Sequence, residues 1–68
     1  MGFETVVLDK VAKVLKSDSQ AEFFCGTLSV ICNATDARKI LNMLKRDYNN
    51  KVECNPDGSY GYNFDFTA

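Results

Sequence analysis

A chain of 68 residues, 46% hydrophobic and 25% charged, has room for one core and reads as a single small globular domain over residues 1–68. Its net charge of −1 and ordinary apolar share exclude a disordered polyelectrolyte, and the near balance of bases and acids argues against phosphate-backbone binding as the main activity. A domain of this size buries only about 60% of its unfolded surface, so close aromatic packing or self-association is expected to supplement a modest core.

The chain begins with a helical pattern. Phe3, Val7, Val11, Val14 and Leu15 recur at helical spacing, while Lys10, Lys13 and Lys16 lie off the stripe. Ser17-Asp18-Ser19 competes for backbone hydrogen bonds, which predicts a helix over 3–16. The start Met1-Gly2-Phe3-Glu4-Thr5-Val6 lacks the Ser or Thr that N-myristoylation needs where Val6 stands.

Residues 21–33 are rich in β-branched and aromatic side chains, and one strand is expected there. One parity, Phe24, Gly26, Leu28, Val30 and Cys32, is apolar; the other, Phe23, Cys25, Thr27, Ser29 and Ile31, is mixed. A bulge at Gly26 would flip the upstream parity and turn Phe23 and Cys25 inward, and both alternatives stay open.

Thr35 is the expected cap of a second helix, with Asp36 favourable beside the positive end of its dipole. Ala37, Ile40, Leu41, Leu44 and Tyr48 form its apolar stripe, and Asn49-Asn50 suits a left-handed exit. Lys51 to Cys54 alternates. Asn55-Pro56-Asp57-Gly58 reads as a turn, and Tyr60, Tyr62, Phe64 and Phe66 then alternate with small and polar residues.

The expected fold is therefore α+β, a two-layer sandwich in the order α-β-α-β-β. Its three-stranded sheet is a split β-α-β unit of order 1-3-2, with the final strand between the other two and both helices on one face.

Catalytic chemistry finds little support. Cys25, Cys32 and Cys54 lack the spacing of a zinc site, and the chain has no histidine to complete a ligand set or activate a thiol. No disulfide is expected. The four glycines are isolated, so no phosphate loop is present, and neither a cofactor nor a small-molecule substrate is implied. The acids are scattered, with only Glu53 and Asp65 expected to share a face.

With no secretory segment and no long apolar run, a cytoplasmic protein with reduced thiols and no membrane association is expected. The reading is a non-catalytic protein that binds another protein, or a second copy of itself, through the open sheet face or a sheet edge. The candidate interface residues are Phe23, Phe24, Ile31, Asn63 and Asp65. A small independent chain of this kind fits an accessory or phage-type modulator. The alternative is a nucleic-acid-binding module using Arg38, Asn42, Lys45 and Arg46 on the second helix.

Overall fold

The computed structural model describes residues 2–58 and 60–66; Met1, the first residue of the N-terminal motif, lies outside them. The first helix, α1, covers Phe3–Ala12 and buries Val7 and Val11. It is shorter than expected, because Lys13 caps it and the backbone tightens: the Val14 and Leu15 amides both donate to the Val11 carbonyl, at 3.0 and 3.1 Å. Val14 and Leu15 still pack against the core from that turn.

The stretch expected as one strand is instead a hairpin. Strand β1 (Gln20–Phe24) pairs antiparallel with β2 (Thr27–Ile31) in the register Phe24↔Thr27, Phe23↔Leu28 and Ala21↔Val30. Cys25 (φ 51°) and Gly26 (φ 79°) are both left-handed, the condition for a two-residue turn whose twist matches the flanking strands. The sheet consequently has four strands and not three. It runs β1-β2-β4-β3, where β3 is Val52–Pro56 and β4 is Gly61–Phe66. The last strand lies between β2 and β3, antiparallel to both, as expected.

Between β2 and β3 runs α2 (Ala34–Asp47). Its cap is Asn33 and not Thr35: the Asp36 amide donates to Asn33 Oδ1 at 2.8 Å, satisfying a donor that the first turn would otherwise leave free. At the other end Asn49 and Asn50 are left-handed (φ 54° and 63°). The Asn50 amide reaches back to the Lys45 carbonyl at 2.8 Å, closing a Schellman-type exit. Pro56 belongs to β3, opposite Tyr62, rather than to the turn. Gly58 supplies the positive φ (104°), and the Asp57 amide donates to the Gly61 carbonyl at 2.7 Å.

Both helices cover one face of the sheet. Val7 and Val11 of α1 and Ala37, Ile40 and Leu44 of α2 meet Leu28, Val30, Val52 and Phe64 of the strands. Phe64 is fully buried on the central strand, worth about 1.5–3 kcal/mol of transfer free energy. One end of the core is closed by aromatic rings: Phe3 stands edge-on to Tyr48 (5.4 Å) and Phe66 (5.2 Å), and Phe23 stacks on Phe66 at 5.8 Å. Lys10 Nζ reaches Asp47 Oδ2 at 2.9 Å, tying α1 to the end of α2.

Candidate interaction face

The paired registers set out the uncovered face as rows across the strands. One row is Phe24, Thr27, Asp65 and Glu53; the next is Glu22, Ser29, Asn63 and Asn55; a third holds Gln20, Ile31 and Gly61. Side chains in a row are direct cross-strand neighbours, close enough to bond. The Thr27 hydroxyl donates to Asp65 Oδ1 (2.8 Å), the Asn55 amide to Asp65 Oδ2 (2.9 Å) and the Ser29 hydroxyl to Asn63 Oδ1 (3.0 Å). The centre of the face is thus a fixed polar ladder. Its rows hold three carboxylates, Glu22, Glu53 and Asp65, and no basic side chain.

Two large apolar side chains stand out from that ladder. Phe24 is 73% exposed at one end and Ile31 53% exposed at the other. Four residue steps along β2, from Thr27 to Ile31, separate their rows, about 13 Å at strand rise. Ile31 shares a cleft with Tyr60, itself 65% exposed.

Of the interface candidates, Phe24, Ile31, Asn63 and Asp65 lie on the open face. Phe23 does not. The turn at Cys25-Gly26 reverses the chain, so Phe23 pairs with Leu28 and faces the helices, where its ring meets Phe3 and Phe66. The expectation of one strand misses Glu22 and Gln20 as members of the face, and the reading of Asn55 as a turn residue misses Asn55, which belongs to β3 opposite Asn63. The signal that would have placed Glu22 and Gln20 is the length of the run, 13 residues where strands usually have five or six.

The two sheet edges differ. In an antiparallel pair, a residue that bonds to one neighbour aims its amide and carbonyl away from the other side. Because the two-residue turn makes Phe24↔Thr27 a bonded pair, Glu22 and Gln20 also bond toward β2, while Ala21 and Phe23 point their backbone groups off the β1 edge. At the β3 edge the Asp57–Gly61 bond sets the phase, so Val52, Cys54 and Pro56 point outward. Pro56 has no amide to offer there, which blunts that edge.

On the opposite side of the molecule, Arg38, Asn42 and Arg46 are exposed on α2 and Lys45 is half-buried. Arg46 Nε lies 3.4 Å from Asp47 Oδ1.

Cys32 is buried and Cys54 partly so, whereas Cys25 is exposed in its turn. Burial pushes the Cys32 thiol up, with Asp36 and Cys54 adding to it, and burial alone raises Cys54. Both therefore stay as thiols near neutral pH rather than as nucleophilic thiolates. All three cysteines are free of disulfides. Among the described residues no cluster of three or more His, Cys, Asp or Glu side chains is placed to hold a metal, and no helix is long and apolar enough to cross a membrane.

Comparison with known protein families, curated proteins and solved structures returned no match.

Proposed function

We propose that this chain is a non-catalytic binding module of the cytosol, whose partner is another protein docked on the open sheet side. The observation that carries the reading is Phe24. A phenylalanine 73% exposed on a strand, beside a hydrogen-bonded polar ladder, has the anatomy of an apolar anchor within a polar surround. Ile31 and Tyr60 offer a second anchor at the far end of the same side. The rigid ladder supports the reading too, because side chains already ordered lose less entropy on binding.

A second reading, contact with nucleic acid, draws on the outward turn of Arg38, Asn42 and Arg46 on α2. The phosphate contacts available to so few bases are limited, and the three carboxylates of the sheet face cannot join them.

Affinity capture from native extract, with and without nuclease, separates the two. The bait is compared with a Phe24→Ser, Ile31→Ser variant and with an Arg38→Glu, Arg46→Glu variant. A protein held by the parent chain after nuclease treatment, lost by the first variant and kept by the second, supports docking on the sheet. Loss with nuclease, or loss only in the second variant, replaces that reading with the nucleic-acid one. A second copy of the chain as the captured species would make the module a self-associating one.

A further inference from the structure

The β1 edge has three features that together define an occupant. First, Ala21 and Phe23 aim their amides and carbonyls outward, so four backbone groups stand ready for an additional strand. Second, an open groove of about 480 Å³ lies against this strand on the helix side, with Leu8, Ala12, Leu15 and Ala21 as its apolar lining and Asp9, Lys16, Ser17 and Ser19 as its polar lining. Third, Glu22 stands exposed between Ala21 and Phe23 on the opposite face.

Resting on the reading of the chain as a protein-binding module, we propose that β1 receives an extended segment of a partner protein by strand addition, and that the segment alternates apolar and basic residues. Backbone bonds to Ala21 and Phe23 hold it. Its alternate side chains follow the pleat: one set enters the groove beside Leu8, Leu15 and Ala21, and the other lies on the open face opposite Glu22. An apolar residue packs against the Leu8, Leu15 and Ala21 part of the groove, which Asp9 and Lys16 also line, and Lys or Arg satisfies the Glu22 carboxylate.

The same geometry disfavours a second copy in this role. Two β1 strands in full antiparallel overlap would pair Ala21 with the other copy's Phe23 and set Glu22 directly against its own counterpart. That position is a closely spaced pair, where like charges repel. The edge β3 is the poorer acceptor, since Pro56 removes one of its outward donors.

The test is selection from a display library of random nine-residue peptides against the intact chain. Enriched sequences should alternate apolar with Lys or Arg. A selected peptide, made synthetically, should slow hydrogen exchange at the Ala21 and Phe23 amides, which are the outward ones, and leave the already bonded Glu22 amide little changed. Glu22→Lys should weaken it at least tenfold and shift a fresh selection toward Asp or Glu at the outward positions. Ala21→Pro, which removes an outward donor and no ladder bond, should abolish binding; should it fail to fold, the exchange pattern and the Glu22→Lys selection decide the matter. An unenriched library, sequences without alternation, or binding indifferent to Glu22→Lys would overturn the proposal. If the protein captured from extract needs Phe24 and Ile31 but is unaffected by Glu22→Lys and Ala21→Pro, strand addition fails while docking on the face stands.

Discussion

Phe23 and Phe24 are neighbours in sequence with opposite fates, and substituting each in turn measures the register of the hairpin. Phe23 is half-buried, with Phe3 at 6.1 Å and Phe66 at 5.8 Å between ring centroids. Truncating a fully buried phenylalanine to alanine costs about 3–5 kcal/mol. Taking about half of that for a half-buried ring and adding part of an aromatic pair term of about 0.5–1.5 kcal/mol puts Phe23→Ala at about 2–3 kcal/mol. For a domain this small the loss corresponds to a melting temperature lower by about 10–20 °C. Phe24→Thr keeps a strand-forming residue at an exposed site and should change stability by less than about 0.5 kcal/mol. Guanidinium titration followed by far-ultraviolet circular dichroism, checked by calorimetric melting, reads both. A one-residue slip in strand pairing moves every side chain to the other face. A large loss for Phe24→Thr with a small one for Phe23→Ala would therefore refute the register, and with it the open face.

The remaining predictions concern the turns, the thiols and one ion pair. Cys25 holds a left-handed conformation that Asn tolerates better, so Cys25→Asn should raise stability by about 0.5–1 kcal/mol in the same denaturation assay. Gly61→Ala should lower it by about 1–3 kcal/mol, because an added Cβ would stand 2.6 Å from the Asp57 carbonyl oxygen at the hairpin closure. Mass-spectrometric alkylation at neutral pH should label Cys25 first, with Cys32 slowest, since burial raises the Cys32 thiol and shields it. The Lys10–Asp47 pair holds the Asp47 carboxyl below its ordinary range, through the Lys10 hydrogen bond, and the same bond raises Lys10. Its contribution is then complete above the unfolded aspartate value of about 3.9 and below the unfolded lysine value of about 10.4. It fades as pH falls through the depressed Asp47 value or rises through the elevated Lys10 value. The stability gap between the parent chain and Lys10→Met should follow that plateau and shrink with salt; a gap independent of pH would mean that the lysine stem, not its charge, matters.

The elements legible in the sequence are those whose burial pattern has a single interpretation. Ala37, Ile40, Leu41 and Leu44 recur only as a helix would bury them, and Tyr62, Phe64 and Phe66 alternate only as a strand would, which also placed β4 at the centre of the sheet. The first hairpin was hidden for a physical reason. Cysteine is not a turn former, and from Phe24 through Cys32 the apolar alternation runs straight through Cys25-Gly26 as if the strand continued. A two-residue turn reverses the chain without breaking that rhythm downstream, so only the parity upstream changes, and Phe23 and Phe24 exchange faces. Helix α1 ends short of its expected length because Val14 and Leu15 pack against the core without being helical. Periodicity reports burial, and burial continues into the turn.

The net charge of −1 averages over two faces of opposite sign. Along α1, the turn that follows it and α2 stand Lys10, Lys13, Lys16, Arg38, Lys39, Lys45 and Arg46 against Glu4, Asp9, Asp18, Asp36 and Asp47, while the rows of the open sheet face contain Glu22, Glu53 and Asp65 alone among charged residues. The molecule is at least 22 Å across, and at physiological salt the screening length is about 8 Å. A ligand on the outer side of α2 therefore senses Arg38 and Arg46 more than Glu22, whereas a segment at β1 meets Glu22 together with the Asp9 and Lys16 that line its groove. An anionic partner at α2 and a cationic segment at β1 would not compete, and neither is ruled on by the total. Substitutions at Arg38 and Arg46 leave the field at Glu22 nearly unchanged, and the reverse holds as well. That independence is what allows paired variants on the two faces to assign a captured partner to one of them.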